Sequence, residues 1–533
     1  MRKERRKVLR ACILTMLMAM PVAGVWAAEE YPLSGDKIGG EYHIEGRNNA
    51  IFFRQSRDVE AVDDVIISNT EAADGDTTND TTRSIIGATD GSNKVFTLDM
   101  KGHSLISGGY GSFVNLTNGS HNKIIVKNAK NIVSTSHLSN DIHATGTGHV
   151  ISLEAAEDIQ LNREDTIEDK YPIIYWGGEN DLSLSAGNNI VMNNKDDVVM
   201  VYVEKQGRAH LVADNDIIFN SDGRPNEVNG HQAVIHIEAG HDIIHYQNHE
   251  NSNPVYYLGD ETEAHVKAGH DLIIDSLYST NLFNVKDGSS ADVVAGNDIV
   301  FKVKTLALTP SAYSMYGSSL SLQSRNFFSN AQRTLRTRND STLTVHADND
   351  IVFNTPGAID ELSMIAVNAN SIADVSAGHD LILNIDVVAP NVHVDTGGKA
   401  NLTAGNNMVL STAGKEAGNP LEANLYADNG TITAKVIDGT LSILNDGAVG
   451  AYADNGGSIT LEGPVVMEVG HGAVAANDGT ILFKGPLTLH STDTALRAVD
   501  GGVIHADAAD TGKYIDGNVV AQGGTVSIDL NKA

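Results

Sequence analysis

Four aspartates recur at almost equal distances in the middle of this chain and are candidates for holding a metal ion together. Asp216, Asp242, Asp271 and Asp298 are separated by 26, 29 and 27 residues. If each one occupies the same place in a repeated unit, neighbouring carboxylates stack roughly 4.8 Å apart. Ionised carboxylates at that distance repel each other by about 1 kcal/mol in water, and more strongly at a surface-like dielectric. The fold must therefore offset this repulsion.

Two arrangements can offset it. A cation such as calcium can bridge adjacent carboxylates, or each carboxylate can accept the backbone N–H groups of its own bend. The second arrangement suits an amide equally well, and Asn189 and Asn407 stand at equivalent positions. The sequence therefore favours turn capping, and it predicts no metal ion, no other cofactor and no catalytic residue.

The residue before each of these positions is an asparagine or a histidine. This second column comprises Asn188, Asn215, His241, His270, Asn297, Asn349, His379 and Asn406. His241 and His270 fall on adjacent units, and two imidazoles suit a transition metal. Because asparagine replaces histidine elsewhere in the column, a ladder of side-chain hydrogen bonds from unit to unit is the favoured interpretation.

A repeating fold must position these residues, because they belong to a six-residue phrase. It occurs as AGNNIV, ADNDII, AGHDII, AGHDLI, AGNDIV, ADNDIV, AGHDLI and AGNNMV, beginning at residues 186, 213, 239, 268, 295, 347, 377 and 404. Such a period indicates stacked supersecondary units. Within one unit, residues 272–274, 282–285 and 291–294 have the composition of short strands. We therefore predict an all-β chain that forms a right-handed parallel β-helix, a solenoid with three strands per coil.

The first two residues of the phrase indicate a tight corner. The alanine predicts a narrow interior, in which a larger side chain would collide with the layers above and below. The glycine after it predicts a backbone conformation that few residues adopt. Asp214 and Asp348 are expected to replace this glycine because aspartate tolerates left-handed angles.

Four segments are predicted along the chain. Residues 1–28 combine a basic start, an apolar run and an A-x-A-like end, which is typical of a Sec-type secretory signal peptide. Residues 29–84 are expected to form an N-terminal cap with the first irregular coils, 85–420 coils of about 27 residues, and 421–533 coils of about 22 residues. Cleavage after the signal removes Cys12, the single cysteine, so we expect no disulfide in the exported protein.

The composition argues against two classes of partner. The formal net charge is −31 at pH 7, and only 5% of the residues are aromatic. Nucleic acids and anionic membranes repel such a surface, and few rings are available to stack on bases. Neither nucleic acid nor an anionic membrane surface is therefore an expected partner.

The repeats resemble two families of bacterial surface proteins. After residue 425 the coils end in Gly-Gly-Thr or Asp-Gly-Thr, as at 478–480 and 523–525, which is similar to the C-terminal passenger region of autotransporters, the type V secretion proteins. The phrase SAGHDLI at 376–382 resembles the repeats of filamentous-haemagglutinin-like adhesins. The resemblance implies a passenger domain at the cell surface or outer membrane of a Gram-negative bacterium, or secreted from it, with a role in adhesion to a host surface or glycan. It also implies an outer-membrane translocator barrel, which the residues up to Ala533 do not include.

A polysaccharide-active lyase or hydrolase is the alternative, since enzymes of this kind use carboxylates and basic residues in a groove of a β-helix. Carboxylate pairs occur at Asp63–Asp64 and Asp196–Asp197. The stretch 310–339, which we expect to be irregular, carries Arg325, Arg333, Arg336 and Arg338. These arginines could form a contact surface, but pairing with neighbouring carboxylates is the favoured interpretation.

Aromatic residues are a further candidate for sugar binding. The group comprises Tyr171, Trp176, Tyr202, Tyr256 and Tyr257. Stacking on sugars is one role, but filling of the core or of corners is favoured. The chain contains no serine-protease, zinc-protease or P-loop motif, so the sequence favours a contact role over an enzyme.

Overall fold

A computed structural model of the chain is a parallel β-solenoid, as the repeat predicts. Each coil contributes one strand to each of three parallel sheets. Sheet 1 leads into the six-residue phrase, sheet 2 follows the phrase, and sheet 3 closes the coil. The structure describes residues 36–45, 51–53, 55–70, 84–88, 91–110, 112–117, 119–137, 140–163, 172–195, 199–222, 227–248, 254–278, 281–305, 310–331, 333–355, 363–386, 388–413, 419–445, 447–506 and 514–528.

The strands of each sheet recur with the period of the sequence. Sheet 1 contains Val95–Asp99, Lys123–Ala129, Val150–Ala155, Asp181–Ala186, Arg208–Ala213, Val234–Ala239, Glu263–Ala268, Ser290–Ala295, Ser319–Ser324, Thr342–Ala347, Ile372–Ala377, Lys399–Ala404, Thr431–Val436, Ser458–Glu462, Thr480–Lys484, Val503–Ala506 and Thr525–Ile528. Sheet 2 contains Leu105–Tyr110, Ile132–His137, Ile159–Arg163, Ile190–Asn194, Ile217–Ser221, Ile243–Gln247, Leu272–Tyr278, Asp298–Thr305, Asn326–Ser329, Ile351–Thr355, Leu381–Ile385, Met408–Thr412 and Leu441–Asn445.

Sheet 3 completes each coil. It contains Ile51–Phe53, Ser84–Ala88, Ser112–Leu116, Ile142–Ala144, Ile174–Gly177, Val201–Glu204, Val228–His231, Tyr256–Gly259, Phe283–Lys286, Pro310–Met315, Arg333–Arg338, Ile365–Val367, Val392–Asp395, Leu425–Asp428 and Val449–Asp454. Longer strands pass through a corner and belong to two sheets, namely Lys37–Glu45, Arg57–Thr70, Val465–Ala475, Leu487–Val499 and Ile515–Gln522. A 3₁₀ turn at Pro420–Glu422 is the one helical element of the described residues.

Equivalent strands pair in parallel and in register from coil to coil. Leu182 lies opposite Ala209, and Ala209 lies opposite Ile235. Because successive side chains of a strand point to opposite sides of the sheet, this register produces columns of side chains inside and outside the solenoid. A short phrase that repeats in the sequence therefore becomes a continuous column in space.

Alternation along each strand separates the core from solvent. In Asp181–Ala186, Leu182, Leu184 and Ala186 are buried, whereas Asp181 and Ser185 are exposed. The inward side chains of all three sheets form one continuous hydrophobic core. Its burial, together with the hydrogen-bonded ladders, stabilises a fold without disulfide bonds.

The alanine column lies inside, as predicted. Its members are at most 3% exposed: Ala186, Ala213, Ala239, Ala268, Ala295, Ala347, Ala377 and Ala404. The prediction for the next residue was wrong, because Gly240, Gly269, Asp214 and Asp348 are not in the left-handed region. A Cβ at Gly269 would lie 2.0 Å from the carbonyl oxygen of Gly240 on the preceding coil. Close approach of the two backbones, and not an unusual φ, favours glycine at this corner.

The stretch 310–339 is regular, which corrects the expectation of loose loops. It forms Pro310–Met315, Ser319–Ser324, Asn326–Ser329 and Arg333–Arg338, each paired in parallel with the coils on both sides. The predicted signal peptide at 1–28 lies outside the described residues. In the described part of the chain, no helix combines the length and the apolar character that crossing a membrane requires.

Candidate functional site

A ladder of hydrogen bonds between coils holds the corner between sheets 1 and 2. Asp216 Oδ1 accepts the backbone N–H of Asp242 at 3.0 Å. Asp242 Oδ1 accepts that of Asp271 at 3.0 Å, and Asp271 Oδ1 accepts that of Asp298 at 3.1 Å. Each of these carboxylates thus caps the bend of the following coil and not its own bend. This corrects the prediction, because the N–H at this position points to the preceding coil.

Asparagine performs the same task where it replaces aspartate. Asn189 Oδ1 accepts the N–H of Asp216 at 3.1 Å, and Asn407 Oδ1 accepts that of Thr440 at 3.2 Å. An amide oxygen and a carboxylate oxygen are both hydrogen-bond acceptors, so their exchange leaves this bond intact. Hydrogen bonding alone therefore accounts for the residue types of the column.

The predicted carboxylate pair Asp63–Asp64 belongs to the same ladder. Asp64 Oδ1 accepts the N–H of Ser104 at 2.7 Å, and Asp63 Oδ1 accepts the N–H of Asp64 at 2.8 Å. These bonds assign the pair a capping role at the corner. The second predicted pair, Asp196–Asp197, lies outside the described residues.

The column of histidines and asparagines donates to the same carboxylates. His241 Nδ1 lies 3.1 Å from Asp216 Oδ1, and His270 Nδ1 lies 3.2 Å from Asp242 Oδ1. The asparagines of the column donate through Nδ2 in the same way. The rings of His241 and His270 stack with a centroid distance of 4.9 Å and an interplanar angle of 1°. A side-chain ladder therefore runs from coil to coil, with the aspartate of the preceding coil as its main acceptor.

Possible metal ligands come together at two places on this corner. The clusters are His241, Asp242 and His270, and Asp350, His379 and Asp380, each with ligand atoms within 4.8 Å of one another. In both clusters the imidazole Nδ1 lies 3.0 to 3.3 Å from carboxylate oxygens of two successive coils. A metal ion would have to displace these hydrogen bonds.

The outward face of sheet 3 has a different composition. One outward position repeats in register along this sheet, and we call it the sheet 3 row. It comprises Asn115, His143, Tyr175, Tyr202, Asn229, Tyr257, Asn284, Tyr313, Arg336, Ala366, His393, Tyr426 and Tyr452. None of these side chains is acidic, although the chain carries a net charge of −31.

Aromatic rings stack along the first part of the row. The rings of Tyr175 and Tyr202 are 5.4 Å apart with an interplanar angle of 11°, and His143 packs edge-on against Tyr175 at 5.2 Å. Glu204 Oε1 accepts the Tyr175 hydroxyl at 2.7 Å, and its Oε2 accepts the Tyr202 hydroxyl at 3.2 Å. Burial and the Glu204 carboxylate raise the pKa of Tyr202 to about 12. The phenol is therefore a protonated donor at neutral pH.

A cavity of about 460 Å³ lies beside these rings. It is lined by Asn140, His143, Thr145, Pro172, Tyr175, Val199 and Tyr202. Burial lowers the pKa of His143 to about 4, so this imidazole is neutral at physiological pH. The cavity thus offers a neutral imidazole, amide and hydroxyl groups, and aromatic edges.

Only part of the predicted aromatic group lies on this surface. Tyr202 and Tyr257 are outward members of the row, whereas Trp176 and Tyr256 point inward and are fully buried. Neighbouring residues of one strand point to opposite sides of a sheet, which separates Tyr256 from Tyr257. Tyr171 lies outside the described residues.

The arginines of the row lie over tyrosine rings. The guanidinium carbon of Arg336 is 5.6 Å from the ring centroid of Tyr313, and that of Arg338 is 5.7 Å from Tyr313 and 5.8 Å from Tyr316. Within the described part of the chain, Arg336 and Arg338 form no ion pair. The expected pairing with carboxylates is wrong for these two residues, because Tyr313 and Ala366 flank Arg336 in register.

The predicted arginine group is divided between two surfaces. Arg333 begins the sheet 3 strand Arg333–Arg338, which also carries Arg336 and Arg338. Arg325 lies instead between Ser319–Ser324 and Asn326–Ser329, at the corner of sheets 1 and 2. The structure therefore brings three of the four arginines together.

Several buried polar atoms of the row have no hydrogen-bond partner among the described residues. On the row these atoms include His143 Nδ1, Asn229 Oδ1, Asn284 Oδ1, Arg336 Nε and His393 Nε2, and beside it Arg338 Nε and Asn368 Oδ1; others lie elsewhere in the solenoid, as at His149 and Asn424. An unsatisfied buried polar group costs about 1–3 kcal/mol. Such groups persist where water, an ion or a ligand completes their bonding. The sheet 3 row is therefore the candidate functional surface.

The interior holds a polar network that the sequence analysis missed. Glu227, His245 and Tyr256 are fully buried. His245 contacts Glu227 through Nδ1, and its Nε2 lies 2.8 Å from the Tyr256 hydroxyl. Burial raises the pKa of Glu227. The available signal was the inward position of His245, which stands in register with Phe219 and stacks on its ring at 4.6 Å.

The corner and the row are thus the two polar surfaces from which a function could be inferred. At the corner the described donors and acceptors bond to one another, whereas the row leaves several of them without partners. Comparison with known proteins adds nothing to this distinction. No protein-family model matches the chain, and neither a curated protein nor a solved structure is detectably similar to it.

Proposed function

We propose that this chain is the β-helical passenger domain of an autotransporter-like protein and that it acts by contact, as an adhesin. It would be exported through its N-terminal signal to the surface of a Gram-negative bacterium, with the sheet 3 row as its contact surface. The observation that carries the proposal is that this outward row combines stacked aromatic rings and a cavity with several buried polar atoms that have no partner among the described residues. A surface that binds nothing gains nothing by retaining such atoms.

The chemistry of the row suits an extended, hydroxyl-rich ligand such as a host glycan. Phenol, amide and imidazole groups both donate and accept hydrogen bonds, as sugar hydroxyls do. The faces of Tyr175 and Tyr202 cover each other, so a ligand would meet ring edges and hydroxyl groups. Because the groups repeat once per coil, a linear ligand along the row can combine several weak contacts into useful affinity.

Replacement of row tyrosines tests this proposal. We expect the double variant Tyr202→Ala and Tyr257→Ala to bind host cells or a glycan array at least tenfold more weakly, since truncated aromatic anchors often dominate binding. Tyr246→Ala is the matched control, because Tyr246 is an outward tyrosine of sheet 2. Equal binding by the double variant and the control would reject the row as the contact surface.

One cluster on sheet 3 favours the enzyme alternative strongly enough to be tested beside it. Glu204 lies 2.5 Å from Lys205 Nζ and accepts the Tyr175 hydroxyl. Burial acts to raise the pKa of Glu204, but hydrogen bonds from Lys205 and Tyr175 lower it overall. The carboxylate is therefore ionised at neutral pH, as a base for polysaccharide cleavage must be, although the lowered pKa makes it a weaker base. Release of shorter oligosaccharides that disappears in Glu204→Gln would favour the enzyme, whereas a contact protein leaves the glycan intact.

A further inference from the structure

We propose that the middle section of the sheet 3 row is an anion-binding subsite that recognises the carboxylate or sulfate groups of acidic glycans. This inference rests on the proposed contact function and specifies the class of its ligand. The subsite, which we call the basic recess, consists of Arg336, Arg338, Ala366, Asn368 and His393.

The recess is an opening in a row of large side chains. Arg336, Ala366 and His393 occupy successive coils in register. Successive coils are roughly 4.8 Å apart, so Arg336 and His393 stand about 10 Å apart with only a methyl group between them. Tyrosine, asparagine or histidine fills most other positions of the row. A space of this width can admit one anionic substituent of a sugar chain.

The recess has donors ready for an anion. The side chains of Arg336 and Arg338 are partly exposed and form no ion pair with a described residue, and the buried Nε of each has no hydrogen-bond partner there. Arg338 Nη2 donates to the Tyr316 hydroxyl at 3.4 Å. Contacts with the rings of Tyr313 and Tyr316 hold both guanidinium groups in place. A guanidinium presents parallel N–H groups that match the oxygens of a carboxylate or sulfate.

Polar atoms at the other side of the recess suit the hydroxyl groups of the same ligand, which both donate and accept hydrogen bonds. His393 Nε2 and Asn368 Oδ1 also lack partners among the described residues. Asn368 uses its Nδ2 to bond Asp395 Oδ2 at 2.5 Å, so the free oxygen of the amide is held in a defined orientation. Anion donors and hydroxyl acceptors side by side match a sugar that carries both groups.

The two arginines of the recess lie in a strongly acidic chain. The chain carries a net charge of −31, and Arg208 pairs with Asp181 at 4.0 Å. Two neighbouring arginines that remain unpaired create a local positive field, and such a field attracts polyanions. Electrostatic complementarity therefore favours an acidic ligand over a neutral one.

The geometry favours a glycan over an acidic peptide. Sheet 3 strands here are paired on both sides, as Arg333–Arg338 is with Pro310–Met315 and Ile365–Val367, so they present no free edge to which a peptide strand can add. The described residues of the recess also form no apolar pocket for a peptide side chain. A sugar chain needs neither feature.

Calorimetric titration of the full exported chain tests the inference. The probes are an oligogalacturonate, a sulfated oligosaccharide of equal length, neutral maltohexaose and polyglutamate. We expect at least one acidic glycan to bind at least tenfold more tightly than maltohexaose. Tighter binding of the oligogalacturonate would identify carboxylate as the anion, and tighter binding of the sulfated oligosaccharide would identify sulfate. Arg336→Gln combined with Arg338→Gln should weaken that binding by about 10- to 100-fold, the range for charge-assisted hydrogen bonds.

Two further variants distinguish binding in the recess from attraction by positive charge alone. Arg325→Gln makes the same change at the corner of sheets 1 and 2 and should alter affinity less than about twofold, because an exposed charge outside the recess contributes little. Ala366→Tyr fills the recess without changing its charge and should also abolish tight binding. Thermal unfolding of each variant verifies that the fold is retained, which is expected for outward positions.

The results distinguish this inference from the proposed function. If the double arginine variant binds acidic glycans like the unchanged protein, the inference is wrong, while loss of binding in the Tyr202 and Tyr257 variant would still support the contact function. If polyglutamate binds as tightly as the glycans and depends on the same arginines, the assignment to glycans is overturned. If no row variant affects surface binding, both proposals fail.

Discussion

The corner between sheets 1 and 2 and the sheet 3 row place one side chain on each coil with the same parallel register, yet their hydrogen bonding differs. At the corner, Asp242 accepts from the coil that follows and the N–H of Asp242 donates to Asp216 on the coil before. On the row, Asn229, Asn284 and Arg336 carry buried atoms without partners in the described residues. We call a column closed when its polar groups bond to one another, and open when some of them lack partners. The stacking geometry alone therefore does not determine whether a column is closed or open.

Uniformity of residue type explains the difference. A column of like side chains spaced roughly 4.8 Å apart is tolerated only if each member supplies what its neighbour needs. Aspartate, asparagine and histidine at the corner meet this condition as alternating acceptors and donors. The row mixes tyrosine, asparagine, arginine and alanine, and several of its buried polar atoms have no partner among the described residues. In this solenoid, a column of repeated residue types therefore indicates a structural role. A column of mixed residue types indicates a surface that is available to a ligand.

Replacement of an alanine by leucine in each of the two regions should give the largest difference in the free energy of unfolding. Ala268→Leu adds volume beside the corner, where Ala268 is 2% exposed, and should destabilise the protein by about 1–3 kcal/mol through overpacking. Ala366→Leu on the open row should cost less than about 0.5 kcal/mol, as expected for a surface position. Outward Ser183→Leu is a second control. Urea denaturation measures all three, and equal costs would contradict the contrast between a closed corner and an open row.

Removal of one acceptor gives the next largest effect. Asp242→Ala leaves the N–H of Asp271 without its partner and should cost about 1–3 kcal/mol at most, whereas Asp242→Asn preserves an acceptor and should be nearly neutral. Asn284→Ala on the row should not destabilise the protein, because the Oδ1 atom that it removes has no partner. A large loss of melting temperature in Asn284→Ala would show that the row is also a structural ladder.

The sequence predicted most of the corner because its signal is local and periodic. The repeated six-residue phrase predicted the solenoid, and Ala268 lies inside it as expected. The predictions from sequence were wrong where contacts with a neighbouring coil determine the local structure. Reasoning from one isolated bend assigned each aspartate to its own N–H groups, and assigned left-handed angles to the glycine, although the preceding coil determines both contacts.

The row could not be predicted because its members share no residue type and belong to no repeated phrase. Tyr257, Asn284, Tyr313 and Arg336 occupy one column, but three different residue types alternate in it. Such a column becomes visible only when the strand register is known. Net charge likewise suggested paired arginines, whereas the register surrounds Arg336 with an alanine and a tyrosine.

The buried side of sheet 3 allows a smaller, pH-dependent test. Burial raises the pKa of Glu227 above its usual 4.5, so the folded protein retains a proton that the unfolded chain loses. Stability contributed at this site is therefore greatest below pH 4.5 and falls as pH rises from there through the folded pKa. Glu227→Gln lacks this ionisation, so its melting temperature relative to the unchanged protein should increase between pH 4 and pH 7. A difference that is constant with pH would mean that Glu227 does not titrate in this way.

The smallest expected effect is that of metal ions on the corner, where we predict none. At His241, Asp242 and His270 the carboxylate Oδ1 already accepts a backbone N–H, and each imidazole donates through Nδ1. An Nδ1 that carries its proton cannot bind a metal, and displacement of the N–H bonds would undo the cap that joins two coils.

A chelator should therefore leave the melting temperature unchanged, and calcium or zinc should not raise it. A bound cation present at a hundredfold excess over its dissociation constant would instead add about 2.7 kcal/mol. A rise with calcium or zinc that vanishes in Asp242→Asn would show that the ladder at Asp216, Asp242, Asp271 and Asp298 is a cation site, and that the corner is as open to ligands as the row.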